Sequence, residues 1–304
     1  MYKKRVKYCA GWDTTENITK RLLQQFKTSE EDLSNIEFVH DDSYDIIVFN
    51  NYITETPKEN SKSYIFFHEP TWSGSHQKNF EGYKNLTIFG YDETFYGHNS
   101  SFEELPSHTF YGGRGSWVDK ETDWNYENIV NTDWSNKTKN ISSIITNYNS
   151  DTYEVGQCTY KVRYDLVDRI KDKTEFVDFF GGWGNSRNLM TSPFKIDAVK
   201  EYKFCLAIEN QFEKNWITEK FYDSILTDTI PIYHGCKNIK DIHPENGYIV
   251  LDDVYDTSYV EDFLKYINDN ADSLYHQFLP EIKKIKNNYF QKYNPLKKIN
   301  NICR

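Results

Sequence analysis

Between Phe204 and Gly235 the sequence runs FCLAIENQFEKNWITEKFYDSILTDTIPIYHG, two apolar runs around a polar centre that holds Glu209, Asn210, Trp216, Thr218, Glu219 and Lys220. The residue types give a local order of strand, loop, short helix and strand. Thr218 is placed to cap a helix that begins at Glu219. The free N–H groups of such a helix start carry partial positive charge and favour an anion. Lys220 falls in the first turn, where a cation opposes the helix dipole unless an anion lies above it. Asn210 ends the preceding strand, so its amide faces the crevice outside that strand's carboxyl end. A helix start, an amide and a lysine around one anion make a place for a nucleotide diphosphate. Taken alone, the same residues also suit a surface Glu–Lys pair and a core Trp.

Such a site needs parallel strands that end together. The first third of the chain alternates strand and helix: VKYCAGW, IEFVH, DIIVFNN, SYIFFHE and LTIFGYD read as strands and NITKRLLQQF as a helix. Residues 96–140 are rich in Gly, Ser, Asn and Thr and read as loops and a linker. A second alternation follows, with ISSIITN, EFVDFFGG, FCLAIEN, IPIYHG and GYIVLDD as strands and TYKVRYDLVDRIKD and TEKFYDSILT as helices. Further helices are expected over 260–267 and 271–293, the second broken or kinked at Pro280. Near-continuous apolar strands imply parallel sheets covered on both faces. The expected organisation is an N-terminal Rossmann-like domain over 1–138, a second over 139–280, and a basic C-terminal helix or tail over 281–304.

With 304 residues the chain is long enough for both cores, and its 17% aromatic content offsets a low hydrophobic fraction of 38%. A net charge of −10 argues against nucleic-acid binding, which needs a basic surface. The five cysteines are scattered without a Cys-x-x-Cys, so neither a disulfide framework nor a zinc site is expected. No apolar run approaches membrane-spanning length and the start has no signal-peptide core; the expected compartment is the cytoplasm of a microbe or virus-infected cell, with a trimmed anchor left open. From Lys283 to Arg304 there are basic residues and no acidic ones. That tail reads as a solvated helix packed back on the domains, or as a weak contact with an anionic membrane surface.

The stretch ENQFEKNWITEKFYDSILTDTIPIYHG resembles the donor-binding motif of the α1,3/4-fucosyltransferase family, glycosyltransferase family 10: Glu-Asn, a few variable residues, Tyr-x-Thr-Glu-Lys, a short helix, then Val/Ile-Pro-Val/Ile-x-x-Gly. The resemblance implies a GT-B fold, two Rossmann-like domains facing each other across a cleft. The C-terminal domain would hold a GDP-sugar and the N-terminal domain an acceptor glycan. It further implies inverting transfer of L-fucose from GDP-fucose, with O3 of GlcNAc or glucose as the expected acceptor position. No cofactor and no metal bound by an Asp-x-Asp motif would be required.

Inverting displacement at an anomeric carbon needs a base for the acceptor hydroxyl and positive charge for the departing diphosphate. Glu69 in SYIFFHEPTW, at the carboxyl end of an expected strand, is the candidate base, and Glu93 in GYDETFYG is the alternative. HEPTW is one step from a zinc-protease motif, but Trp72 stands in place of the second His. In the family a basic residue opening the first donor-domain helix binds the diphosphate; here Lys161 and Arg163 both qualify. By the same resemblance Asn210 contacts the donor, Glu219 meets donor hydroxyls, Lys220 meets phosphate, and Trp216, where the family has Tyr, packs on sugar or ribose. Two other readings stand beside this one: a GT-B transferase of another GDP-sugar, and a non-catalytic glycan- or nucleotide-binding module.

Overall fold

The computed structural model describes residues 3–28, 32–67, 83, 85–91, 101–104, 126–145, 160–181, 189–190 and 195–304. By its contacts the chain divides into two compact units. Unit 1 comprises Met1–His108, Asn125–Glu127 and Tyr289–Arg304, and unit 2 comprises Thr109–Trp124 and Asn128–Asn288.

Unit 1 is built on six parallel strands: β1 (Lys4–Ala10), β2 (Ile36–Phe38), β3 (Ile46–Asn50), β4 (Lys62–Phe66), β5 (Leu86–Gly90) and β6 (Ser101–Glu104), in the order β2-β1-β3-β4-β5-β6. All five residues of β3 are buried, the signature of a strand covered on both faces. Helix α1 (Thr15–Phe26) starts at Thr14, whose hydroxyl accepts from the Asn17 N–H at 3.2 Å, and buries Ile18, Leu22 and Phe26.

The chain's last segment belongs to this unit. Helix α8 (Pro295–Cys303) opens on Asn294, which accepts from the N–H groups of Leu296 and Lys297 at 2.9 and 3.2 Å and donates to the Phe26 carbonyl at 2.8 Å. Asn-Pro at this point is a helix start, because Pro at the first helical position loses no hydrogen bond. Leu296, Ile299 and Cys303 are buried, so the apolar side of the basic tail is spent inside unit 1. Among the described residues no helix is long and apolar enough to cross a membrane.

Unit 2 carries five parallel strands: β7 (Lys139–Ile145), β8 (Val177–Gly181), β9 (Tyr202–Ile208), β10 (Ile230–His234) and β11 (Ile249–Val250), in the order β11-β10-β9-β7-β8. Helix α2 (Tyr126–Asn131) precedes the sheet, α3 (Tyr160–Ile170) follows β7, and α4 (Glu219–Leu226) joins β9 to β10. After α5 (Ile239–Ile242) come α6 (Thr257–Asp269) and α7 (Ala271–Lys292). Of the break or kink expected at Pro280, the break does not occur: helix α7 is continuous through Pro280. Proline removes one helix hydrogen bond, and the burial of Tyr275 before it and of Ile282 and Ile285 after it offsets that loss; the helix's last residues, from Tyr289, fall in unit 1. β6, α2, α5 and α8 were not anticipated as separate elements.

In unit 2 the first and third strands in chain order, β7 and β9, are neighbours, and their connections leave to opposite sides. This is the topological switch point, where doubly wound sheets bind ligands outside the strands' carboxyl ends.

Candidate functional site

At the carboxyl end of β9 the chain enters the segment 209–218, and Glu209 organises it. Its carboxylate is fully buried. It accepts from the Thr218 N–H at 2.8 Å and the Thr218 hydroxyl at 2.6 Å, and from the Tyr233 hydroxyl at 3.4 Å. Burial pushes the Glu209 carboxyl up, and nearby Lys220, whose Nζ lies 3.7 Å away, opposes this. Glu209 thus ties the start of α4 back to the end of β9. Gly235 follows from the same arrangement, because a Cβ there would collide with the Glu209 side chain and lie 2.8 Å from the Tyr233 hydroxyl.

The loop between Glu209 and Thr218 is held a second time. Asn215 adopts the left-handed conformation, with φ of 61°. Its N–H donates to Asn238 Oδ1 at 2.7 Å, and its Oδ1 accepts from Asn238 Nδ2 at 2.8 Å. Asn210 and Trp216 are both buried here, and at 2% exposure the Trp216 ring is enclosed by protein.

Thr218 caps α4 as expected, its hydroxyl accepting from the Lys220 N–H at 3.4 Å. Lys220 Nζ lies 2.9 Å from Glu219 Oε1 and 3.2 Å from Thr218 Oγ1. Burial alone would raise the Glu219 carboxyl, but Lys220 and Lys195 beside it outweigh that and hold it well below the usual range. One turn further along α4, buried Asp223 pairs with Lys195. Burial and the Glu219 charge push Asp223 up to about 7, against the pull of Lys195.

Helix α3 places the two basic candidates on different faces. Arg163 is 4% exposed and lines one cavity with Ile144, Lys195, Ile208, Glu219 and Lys220. Lys161 stands on the opposite side, with a 74% exposed side chain paired to Asp165 at 2.7 Å. Helical phase explains the difference. Arg163 shares its face with buried Leu166, Val167 and Ile170, whereas Lys161 shares one with exposed Asp165 and Asp168.

The structure therefore brings Arg163, Glu219 and Lys220 to one cavity at the switch point, whereas Asn210, just past the end of β9, and Trp216, buried within the loop, are not among the residues that line it. Glu69 and Glu93 lie outside the described residues, beyond β4 and β5 respectively. Glu209, Lys195, Asp223 and Gly235 were not among the expected site residues. Glu-Asn nine residues before Thr-Glu carried a signal for the first of them, but only the folded loop shows what the acid holds.

This arrangement of lysines, arginine and helix start fits an anionic ligand. Residues 134–304 match the profile of "Glycosyltransferase family 10 (fucosyltransferase) C-term". An α-(1,3)-fucosyltransferase of Caenorhabditis elegans (fut-6) is 32% identical over 170 residues, 51% of this chain and 40% of the worm protein. The human GDP-fucose protein O-fucosyltransferase 3 is 26% identical over 274 residues, 86% of this chain and 49% of the human protein. The chain thus spans about half or less of these relatives' length. A crystal structure of an α1,3-fucosyltransferase with GDP-fucose superimposes with a TM-score of 0.52 at 17% identity, covering 91% of this chain and 81% of that one. A DNA-modifying β-glucosyltransferase does so with a TM-score of 0.56 at 11% identity, covering 98% and 99%. The fold is α/β of the GT-B class, with two parallel-sheet Rossmann-like halves. The chain belongs to glycosyltransferase family 10.

Proposed function

We propose that this protein transfers L-fucose from GDP-fucose to a hydroxyl of a glycan acceptor, with inversion at the anomeric carbon. The observation that carries the proposal is the cavity at the β7–β9 switch point, where Arg163 and Lys220 converge with Glu219. Arg163 and Lys220 take up the charge that develops on the departing diphosphate, a role that needs no bound metal. Asn210 contacts the donor and Glu219 accepts from sugar hydroxyls. Trp216 backs the loop that carries these contacts. Glu69 removes the proton as the acceptor oxygen forms its bond to C1, and the electrons of the C1–O bond leave with GDP.

A second reading concerns the acceptor. The human relative that aligns over most of this chain is named a protein O-fucosyltransferase, which favours a hydroxyl on a polypeptide in place of one on a glycan. Both acceptors share one donor chemistry.

Calorimetric titration with GDP and UDP tests the site itself. GDP is expected to bind, with UDP weaker by at least about tenfold, or about 1.4 kcal/mol. Equal affinities, or no GDP binding, would overturn the assignment of the cavity to a GDP-sugar.

A further inference from the structure

We infer that Lys195 is a positioning residue of the donor site: its ammonium is the shared counter-ion of Asp223 and Glu219, and it fixes Glu219 as a carboxylate acceptor for the sugar. The inference rests on the donor-site assignment above and extends it to a residue outside the motif.

Lys195 comes from a separate segment, the 3-10 turn Lys195–Ala198 that precedes β9. Its side chain is 17% exposed and reaches α4 from the side. Glu219 and Asp223 are four residues apart on that helix, so their like charges stand one above the other and repel. Lys195 Nζ contacts Asp223 and lies 4.0 Å from Glu219 Oε1. Lys220 Nζ approaches the same Glu219 oxygen at 2.9 Å. Glu219 is thus held between two ammonium groups, and Asp223 anchors one of them.

A buried ion pair that served stability alone could be replaced by apolar side chains with little loss. This one lies on the wall of the cavity that Arg163 and Lys220 also line. The two carboxylates respond in opposite directions, Glu219 held down and Asp223 raised to about 7, as acids do when neighbours divide their roles. The other ionisable groups nearby include Glu209, which burial and then the Glu219 charge push up, and Cys205, a thiol that burial pushes up.

The test is steady-state kinetics for GDP-fucose on wild type, Lys195→Met, Lys195→Arg, Asp223→Asn and the Lys195→Met/Asp223→Asn double variant, with GDP affinity and a thermal melt measured in parallel. GDP lacks the sugar that Glu219 meets, so a positioning role for Lys195 separates the two ligands. Lys195→Met is expected to raise KM for GDP-fucose by about tenfold, with GDP affinity within about threefold of wild type. Lys195→Arg keeps the cation and is expected to recover most of that loss. The double variant is expected to recover most of the loss, because it removes the repelling acid as well. An unchanged KM in Lys195→Met, or equal weakening of GDP-fucose and GDP, would overturn the positioning role alone. A wild type that binds no GDP would overturn the donor site and this role together.

Discussion

Arg163→Ala is expected to lower kcat/KM for GDP-fucose by about 100- to 1,000-fold, whereas Lys161→Ala is expected to stay within about twofold of wild type. A guanidinium presents a planar fork that binds two phosphate oxygens at once, and enclosure strengthens such bonds. Arg163 is nearly fully buried and lines the cavity at the carboxyl ends of β7 and β9. Lys161 is spent on Asp165 in solvent, an exposed pair that contributes little. Arg163→Lys separates charge from geometry: it keeps the cation but loses the fork, and an intermediate loss is expected. Because Arg163 is buried, a thermal melt of each variant shows whether lost activity is lost fold. A larger effect from Lys161→Ala than from Arg163→Ala would contradict the site as assigned.

Glu69→Gln is expected to lower kcat by about 1,000-fold while GDP affinity stays within about twofold. The amide keeps the shape and loses the basicity. The donor contacts proposed above come from residues of unit 2, so the expectation is that GDP affinity is kept. The same loss in Glu93→Gln with Glu69→Gln fully active would move the base to Glu93. Turnover unaffected in both variants would leave the proposed mechanism without its base.

Much of this architecture was legible because buried parallel strands are nearly pure apolar runs. IIVFN in β3 and FCLAI within β9 admit few other readings. β6 was not legible, because SFEE has neither an apolar run nor a clean alternation and sits among Gly, Ser and Asn. The start of α8 is written in Asn294-Pro295, an N-cap followed by Pro at the first helical position, within a stretch whose lysines carry no helical signal of their own. For the site, the cap at Thr218 was readable as a local rule. The burial of Arg163 and the exposure of Lys161 were also legible, in the phase of Leu166, Val167 and Ile170. Lys195 and Asp223 had no local signal. An ion pair between a turn before one strand and a helix after it exists only once β9 has brought the two together.

The central claim is that the cavity at the β7–β9 switch point takes GDP-fucose as a donor for transfer. The direct measurement is acceptor-dependent GDP release from GDP-fucose beside other GDP-sugars, with a mixed pool of glycans and hydroxyl-bearing peptides as acceptors. The expected result is release from GDP-fucose alone, abolished by Arg163→Ala. Release from a different GDP-sugar only, or GDP binding with no transfer from any donor, would contradict it.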